Sequence, residues 1–359
     1  MRAAFAHSYG APSVITLATD VPMPIPGPEQ LLIRVHSTTV NPADCKQRSG
    51  NLKLVMKHSF PLAFGQDFAG IVESAPPTSQ FKRGDEVYGC TAPRNGCGAE
   101  YVAVYEREVV RKPVTLAWDV AAATPTAACT AYRGVVTVGK ATEGMRVLVH
   151  GASGGVGSAM VQIARRGCGC TVWGTSGPTN RQYVESIGVV AVLDHSQPLA
   201  SALATAANTP ADIHFDLILD AVGGDDLYAA SLPFLAKGGR YVSAVGPVRH
   251  GGSDRITVGT LLYSAYTLVP RLLFSRRYLL FLSFDVADLG VAELRELITS
   301  RELEVRVDPE RFELATFANA HAKCETHHSC GRIVVRVTAE EAAWNSPVLA
   351  EVLRGTAPM

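Results

Sequence analysis

The stretch RVLVHGASGGVG, residues 146–157, decides the fold of this 359-residue chain. RVLVH has an apolar centre that predicts a buried strand, and a glycine-rich turn follows it directly. SAMVQIARRGC (158–168) then carries apolar residues at positions 160, 161, 163 and 164, the spacing of a helix that packs on one face. A strand, a turn and a helix in this order predict one unit of a parallel sheet.

The turn also predicts a dinucleotide-binding site. Its small positions are Ala152, Gly154 and Gly157, so it matches the dinucleotide fingerprint with the first glycine replaced. Small residues are required because the chain turns sharply, the backbone approaches a pyrophosphate closely and the helix packs tightly on the strand. A plain glycine-rich turn is the competing interpretation. The expected cofactor contacts along the turn are Ala152, Ser153, Gly154, Gly155, Val156 and Gly157.

The rest of the C-terminal half repeats this strand and helix pattern. Apolar runs at 170–175, 189–194, 215–220 and 239–246 alternate with helical stretches. Continuous apolar strands spaced by helices predict a doubly wound parallel sheet that is covered on both faces.

The pattern changes character before residues 124–126. Short β-like runs at 31–40, 69–75, 85–90 and 99–104 are separated by Pro, Gly and Asp. Many short strands at this spacing predict an all-β, barrel-like unit. We therefore expect an α/β chain with two domains.

The end of the second strand of the parallel sheet favours NADPH over NADH. An NAD-dependent enzyme carries Asp or Glu there, about 20 residues beyond the turn, to bond the adenosine ribose. This chain has no acidic residue between Thr171 and Tyr183. A missing carboxylate and a nearby arginine suit the 2′-phosphate, and a solvated Arg181 on the next helix is the alternative. The residues expected at this end are Thr175, Ser176, Asn180 and Arg181.

Composition favours a small-molecule partner. The 33 basic and 33 acidic residues give zero formal charge, so no basic surplus indicates nucleic acid or an anionic membrane. The eight cysteines are scattered without a C-x-x-C pair, and the amino terminus shows no signal sequence. Together these features predict a reducing compartment, the cytoplasm.

The most apolar stretch spans residues 256–284. Arg271, Arg276 and Arg277 interrupt it, so its uncharged runs fall short of the roughly 20 residues of a membrane span. It could wall a pocket for an apolar substrate, form a dimer interface or touch a membrane surface. We expect no stable membrane span, and a homodimer.

Several motifs together resemble the medium-chain dehydrogenase/reductase superfamily, in its zinc-free quinone oxidoreductase branch. They are NPADCKQRSG (41–50), FPLAFGQDFAGIVES (60–74), FKRGDEVYG (81–89), GAEYVAV (98–104), PTAACTAYRG (125–134) and GASGGVG (151–157). The resemblance implies a GroES-like catalytic domain from residues 1–125 and 285–359, packed on a Rossmann domain from residues 126–284. A helical run at 293–304 and a strand-like run at 331–337 would return to the first domain.

Zinc-dependent members of the superfamily carry a catalytic Cys where this chain has Asn41, a His where it has Gln66 and a Cys near Thr126. Without a thiolate or imidazole at these positions, the resemblance implies no catalytic metal. Cys90 and Cys97 are alone in the region of the structural zinc lobe. The remaining chemistry is hydride transfer to an electron-poor acceptor, a quinone or an enone.

The resemblance also implies roles for individual residues. Asn41 would face the nicotinamide and the substrate, Asp44 and Arg48 would shape its loop, and Thr130 would bond the carboxamide. Asn41 before Pro42 is also a common turn pair, and Asp44 or Thr130 could be caps. The residues expected at the carboxyl ends of later strands are Asp220, Val222, Gly223, Ser243, Val245 and Gly246.

Two further positions stay open. Related reductases often present Ser, Lys and Tyr to the 2′-phosphate, where this chain has Gly177, Thr179 and His195. His195 is either a surface residue or an imidazolium that helps to hold phosphate at low pH. Alkene reduction would need a positioned acid such as a tyrosine, whereas quinone reduction can take its proton from water. The unranked candidates for that acid are Tyr9, Tyr132 and Tyr263.

Three functions are compatible with this pattern. The first is an NADPH-dependent quinone oxidoreductase, the second an enoyl reductase on the same scaffold, and the third a non-catalytic NADPH-binding structural or regulatory protein. Hydrolase and kinase chemistry have no support, because the chain has no G-x-S-x-G, HExxH or P-loop motif.

Overall fold

Short strands separated by turns occupy the chain up to residue 111. The computed structural model describes residues 1–54, 57–91, 96–248, 257–274, 277–281, 303–327 and 329–338. The strands of this first part are β1 (Ala3–Ala6), β2 (Ile15–Ala18), β3 (Gln30–Val40), β4 (Leu62–Ala63), β5 (Asp67–Ser74), β6 (Glu86–Cys90), β7 (Tyr101–Tyr105) and β8 (Val109–Arg111).

The second part of the chain forms the predicted parallel sheet. Its strands are β9 (Arg146–His150), β10 (Thr171–Ser176), β11 (Ala191–Asp194), β12 (Phe215–Asp220), β13 (Leu235–Ser243) and β14 (Tyr278–Leu280). Within the described residues they lie side by side in the order β11-β10-β9-β12-β13-β14, and every pairing is parallel. β9 is central, so the glycine-rich turn leaves the sheet at its middle.

The described residues also form helices, some between the strands of the parallel sheet and others in the first part of the chain and near its end. They are α1 (Pro42–Ser49), α2 (Trp118–Ala123), α3 (Pro125–Tyr132), α4 (Gly155–Gln162), α5 (Arg181–Ser186), α6 (Leu199–Thr205), α7 (Asp225–Ser231), α8 (Val258–Phe274) and α9 (Phe317–Glu325). α3 and α4 each continue into a π-helical turn, Arg133–Val138 and Ile163–Gly167.

Apolar side chains cover both faces of the parallel sheet. Val147 and Val149 of β9 pack in one core with Met160 of α4. Leu148, between them in sequence, packs in another core with Tyr228 of α7. Alternate residues of a strand point to opposite faces, so the continuous apolar run is explained by burial on both sides.

The end of the chain joins the first sheet. β15 (Phe312–Glu313) pairs with β16 (Ile333–Arg336), and β16 runs antiparallel to β3 with Ile333 opposite Val40. Among the described residues the first sheet therefore has the order β15-β16-β3-β5-β6-β8, with β7 also on β3. The architecture is the predicted one, a GroES-like β domain and a Rossmann-type domain. The residue numbers given for the domain boundaries stay a prediction.

The remaining predictions on the C-terminal part are tested in part. Most of the predicted helix at 293–304 lies outside the described residues, and Leu303 and Glu304 are not helical. The segment after Thr338 also lies outside them. α8 accounts for much of the apolar stretch at 256–284, and no helix in the described part of the chain is long and apolar enough to cross a membrane.

Candidate active site

The glycine-rich turn is built as a close approach between β9, β10 and α4. Gly151 has a φ of 75°, in the left-handed region, and its N–H donates to Thr175 Oγ1 at 3.0 Å. The Ala152 N–H donates to Thr175 O at 2.9 Å. A Cβ on Gly157 would lie 2.0 Å from Gly151 O, so only glycine allows α4 to sit this close to the strand.

Gly154 has a different role in the turn from Gly157. Gly154 is the N-cap of α4 and has an ordinary φ of −74°, and a Cβ there would touch only Gly151 O at 3.4 Å. Space beside Gly154 therefore stays open for a phosphate at the positive end of the helix. The predicted set omits Gly151, although a glycine directly after a strand was the signal that could have found it.

The adenosine end of the candidate site brings Ser176, Gly177 and His195 together. Ser176 ends β10 and donates through Oγ to Gly177 O at 3.1 Å, and the His195 N–H donates to Ser176 O at 3.3 Å. The His195 ring lies beside Gly177, since a Cβ there would be 3.1 Å from His195 Nε2. The nearby acid is Asp194 of β11, whose pKa is lowered by hydrogen bonds from the Ser196 N–H and hydroxyl.

The two other residues predicted for this end have partners within the chain. Arg181 pairs with Glu185 at 2.9 Å in an exposed contact one helical turn apart. Asn180 Oδ1 accepts the Cys330 thiol at 2.6 Å, across from the C-terminal strand region. Exposed pairs of this kind are weak, so a phosphate can compete for Arg181.

The turns after β12 and β13 are fixed by Asp220 and Ser243. Asp220 Oδ1 accepts the N–H groups of Val222 and Gly223 at 2.9 and 2.8 Å, and its Oδ2 accepts the Ser243 hydroxyl at 2.9 Å. Ser243 Oγ in turn accepts the Gly246 N–H at 3.0 Å. Asp220 and Ser243 thus shape the turns, while the backbone of the residues after them is presented at the carboxyl edge.

The substrate side of the candidate site is centred on the buried carboxylate of Asp67. Its Oδ1 accepts the N–H and hydroxyl of Thr126 at 2.9 and 2.6 Å. Its Oδ2 accepts Asn41 Nδ2 at 3.1 Å and Arg332 Nη2 at 2.7 Å. Asn41, and Thr126 near another of the positions compared above with zinc ligands, therefore donate to one aspartate that pairs with an arginine.

Asp44 lies beside this network and is fully buried. Its Oδ2 accepts the backbone N–H of Asn41 at 2.7 Å, which makes it the N3 acid of the capping box that begins α1. Burial raises the pKa of Asp44 to about 7, and the charge of Asp67 adds to the rise. The Asn41 amide and Arg332 act in the opposite direction.

Arg332 is the site residue that local sequence patterns did not indicate. It comes from the segment entering β16, and its Nε donates to Ala123 O at 3.1 Å. Its side chain crosses the first residue of α4, because a Cβ on Gly155 would be 2.4 Å from Arg332 Cδ. A basic residue in the returning strand was the available signal, but its position at the turn depends on tertiary structure.

The remaining predicted residues lie on α1, α3 and α8. Thr130 and Tyr132 are half-buried on α3, the helix that Pro125 begins. Arg48 is buried and donates to Gly10 O and to Glu325, so it joins α1 to its neighbours. Tyr263 donates to Asp225 at the surface, and that hydrogen bond raises its pKa.

Comparison with known proteins agrees with this arrangement. The family model described as alcohol dehydrogenase GroES-like domain matches residues 27–114, and the one described as zinc-binding dehydrogenase matches residues 187–335. The chain is 35% identical to a quinone oxidoreductase of Lama guanicoe over 72% of this chain and 77% of that protein. It is 31% identical to the mitochondrial NAD(P)H oxidoreductase RTN4IP1 of Mus musculus over 92% and 87%.

Solved structures give the same result. A quinone oxidoreductase from Coxiella burnetii superposes with a TM-score of 0.75 and 28% identity, covering 94% of this chain and 99% of that one. The mycobacterial protein Rv1454c, solved in complex with NADPH, gives 0.73 and 25%, with the same coverage. The fold and the site define a nicotinamide-dinucleotide-dependent oxidoreductase. The chain belongs to the medium-chain dehydrogenase/reductase superfamily, among the relatives of the quinone oxidoreductases.

Proposed function

We propose that this chain is a zinc-independent, NADPH-dependent oxidoreductase that transfers a hydride to a quinone. The observation that carries the proposal is the network around Asp67, in which Asn41 and Thr126 donate hydrogen bonds from positions that, by the resemblance, lie at or near those of zinc ligands in other members. Arg332 already neutralises that carboxylate at 2.7 Å. Over the described residues, no group of three His, Cys, Asp or Glu side chains is placed to hold a metal ion.

The adenosine end supports NADPH as the reductant. β10 ends in Ser176 without a carboxylate to accept the 2′-hydroxyl, and Gly177 leaves room beside the imidazole of His195. Arg181 is held only by an exposed pair with Glu185. A 2′-phosphate would find a hydroxyl, an imidazole and a guanidinium at this edge.

The chemistry follows from what the chain provides and what it leaves to the cofactor. A bound reduced nicotinamide supplies the hydride. The turn at Gly151 to Gly157 holds the phosphates, the turns after Asp220 and Ser243 line the edge, and the Asn41 loop closes the substrate side. An acceptor that is already electron-poor needs no Lewis acid, which favours a quinone over a simple ketone or aldehyde as the hydride acceptor.

The direct test is steady-state oxidation of NADPH with a panel of quinones and a parallel panel of enones. Turnover of quinones with a preference for NADPH over NADH supports the proposal. Turnover of enones alone would replace it with alkene reduction, and tight NADPH binding without turnover of either class would favour a non-catalytic role.

Paired variants test the cofactor preference. Arg181→Ala should weaken NADPH binding by about tenfold, the worth of one charged hydrogen bond, and leave NADH binding unchanged. Glu185→Gln is the matched control, because it releases Arg181 from its ion pair and should not weaken NADPH binding. Equal losses for NADPH and NADH in Arg181→Ala would argue against a 2′-phosphate contact.

We also propose that the protein is a homodimer in the cytoplasm. α8 exposes Val258, Leu262, Tyr266 and Val269 along one side, at intervals of three or four residues, an apolar stripe of the kind that dimer interfaces cover. All eight cysteines are free thiols, as in proteins of a reducing compartment. Light scattering should give twice the chain mass and Leu262→Glu half of that, and a monomeric wild type would remove the dimer proposal.

A further inference from the structure

Two buried carboxylates, Asp44 and Asp67, lie in the field of one guanidinium, that of Arg332, between the cofactor turn and the Asn41 loop. Asp44 and Asp67 are both fully buried, and Arg332 is buried almost as completely. Arg332 Nη2 donates to Asp67 Oδ2 at 2.7 Å, whereas Asp44 Oδ1 is buried without a hydrogen-bond partner. With both acids ionised, the group would be one positive charge short in a region closed to water.

The same arginine also reaches the place where cofactor phosphates are expected. A Cβ on Gly155 would lie 2.4 Å from Arg332 Cδ and 3.7 Å from its Nε, so the side chain passes directly over the first residue of α4. The N-terminus of that helix is the anion site of the glycine-rich turn. Arg332 therefore stands between two sets of negative charge, one belonging to the protein and one that arrives with the ligand.

The other charged and titratable groups packed around Asp44 leave Arg332 as its balancing cation. Asp67 adds negative charge. A hydrogen bond with Cys324, together with burial, raises the pKa of the Cys45 thiol, and burial raises the pKa of the Cys97 thiol. On the far side of α1, α9 contributes Glu325, whose carboxylate is already paired with Arg48. The elements packed near Asp44 contribute the following charged or titratable groups: Asp67 of β5, Cys97 before β7, Cys45 and Arg48 of α1, His321, Cys324 and Glu325 of α9, and Arg332 before β16.

Asp44 is poised to respond to a change in this balance. Burial raises its pKa to about 7 and the charge of Asp67 adds to the rise, while the backbone N–H groups of Asn41 and Gly65 and the charge of Arg332 act in the opposite direction. A small rise in nearby negative charge is enough to change the protonation of such a group near neutral pH.

We infer that Asp44 takes up a proton when a dinucleotide binds at the glycine-rich turn, because the cofactor phosphates draw on the Arg332 charge that otherwise balances the two carboxylates. The inference rests on the proposed function, since it needs a dinucleotide at that turn. It assigns to Asp44 a role as a proton-binding site coupled to the cofactor site, in addition to its part in starting α1.

The coupling fixes the direction of the pH dependence. Proton uptake on binding means that affinity for the dinucleotide falls as the pH rises through neutrality, by up to about tenfold per pH unit for one proton. Binding that raises the pKa of Asp44 by about one unit gives an uptake of about half a proton at pH 7.5 and almost none at pH 5.5. At the lower pH, Asp44 is already protonated in the free protein.

The experiment is calorimetric titration of the full-length protein with NADP⁺ in buffers of different ionisation enthalpy, at pH 7.5 and pH 5.5. The slope of the binding enthalpy against the buffer enthalpy gives the protons taken up per site. At pH 7.5 the slope for the wild type should exceed that for Asp44→Asn by about half a proton. Asp216→Asn, the same change at an exposed aspartate paired with Arg146, is the matched control and should keep the wild-type slope.

The 2′-phosphate of NADP⁺ also titrates in this range, but its contribution is common to the wild type and both variants and cancels in the comparison. An equal slope in wild type and Asp44→Asn overturns the inference while leaving the cofactor site intact. Absence of any NADP⁺ binding would remove the dinucleotide site and the proton coupling together.

A second measurement decides the matter if Asp44→Asn fails to fold. Infrared difference spectra of the wild type with and without NADP⁺, recorded with carbon-13-labelled aspartate, report the carbonyl stretch of a protonated carboxyl group. Growth of that band on binding at pH 7.5 supports the inference, and an unchanged band overturns it.

Discussion

Two single alanine substitutions in the glycine-rich turn should separate folding from cofactor binding. In Gly157→Ala, the new Cβ would lie 2.0 Å from Gly151 O and 2.7 Å from Gly151 C. Both atoms are backbone, so α4 has to move away from β9 by about an ångström. In Gly154→Ala, the closest contact is 3.4 Å to Gly151 O, an ordinary van der Waals distance.

The magnitudes differ accordingly. Overpacking of this kind costs about 2–3 kcal/mol, which lowers Tm by roughly 4–12 °C for a domain of about 150 residues. Gly154→Ala carries no such cost, and its ordinary φ lets alanine restrict the unfolded chain, so Tm should stay equal or rise slightly. The added methyl group, however, occupies the space that a phosphate needs beside the first turn of α4.

We therefore expect Gly154→Ala to fold normally and to bind NADPH about 10- to 100-fold more weakly, the worth of one or two charged hydrogen bonds from backbone N–H groups. Gly157→Ala should lose both stability and binding. Differential scanning fluorimetry and quenching of protein fluorescence by NADPH measure the two quantities on the same samples. Unaltered NADPH binding by Gly154→Ala would refute the assignment of the phosphates to this turn, and an unaltered Tm for Gly157→Ala would refute the packing argument.

Three further outcomes follow from the buried network and the absent zinc ligands. Because Asp44 has a pKa of about 7 in the folded protein against 3.8 in the unfolded chain, its stabilising contribution is complete below about pH 4 and is lost as the pH rises towards 7. The free energy of unfolding of the wild type should then fall more between pH 5 and 8 than that of Asp44→Asn, by on the order of 1 kcal/mol per pH unit up to pH 7, and parallel curves from chemical denaturation would contradict this. Arg332→Met leaves the buried Asp67 carboxylate without its cation and should lower the free energy of unfolding, measured by chemical denaturation, by about 3–5 kcal/mol. The double variant with Asp67→Asn should recover part of that loss, and additive effects of the two changes would show that the pair is uncoupled. Exhaustive dialysis against a chelator should leave NADPH oxidation unchanged, and stoichiometric zinc by elemental analysis would rule out the metal-free site.

The sequence was most informative where local pattern and buried structure coincide. The runs at 146–150 and 215–220 match β9 and β12 residue for residue, because a strand buried on both faces has an apolar centre instead of an alternating pattern. β13 starts at Leu235 instead of 239. The Gly238-Gly239 pair reads as a turn, yet the strand passes through it with Gly238 at a φ of 84° and a shift in register against β12.

Local sequence patterns predict some residues of the candidate site, whereas other contacts there depend on tertiary structure. The sequence predicts residues 152–157, 175–176 and 222–223 at one edge, because parallel strands bring their carboxyl ends to one edge of the sheet, and their contacts with a cofactor stay a prediction. The contact between Asp67 and Arg332 could not, since 265 residues separate the partners and neither lies in a pattern that specifies the other. The pairing of Arg181 with Glu185 is likewise a matter of rotamers on an exposed helix, which no periodicity encodes.

The position of Arg332 has a consequence for the order in which the protein is made. Residues 146–280, which carry the six described strands of the parallel sheet, leave the ribosome well before residue 332 is synthesised. That sheet can begin to fold while the chain is growing, as domains generally do. Asp67 is synthesised earlier still, but its ion pair with Arg332 can form only when the segment before β16 has been made. A nascent or truncated chain that ends before residue 331 would therefore contain the parallel sheet while the Asp67 carboxylate has no cation. The contact between the two domains at Asp67 and Arg332 is therefore among the last to form during synthesis, and it depends on the C-terminal segment.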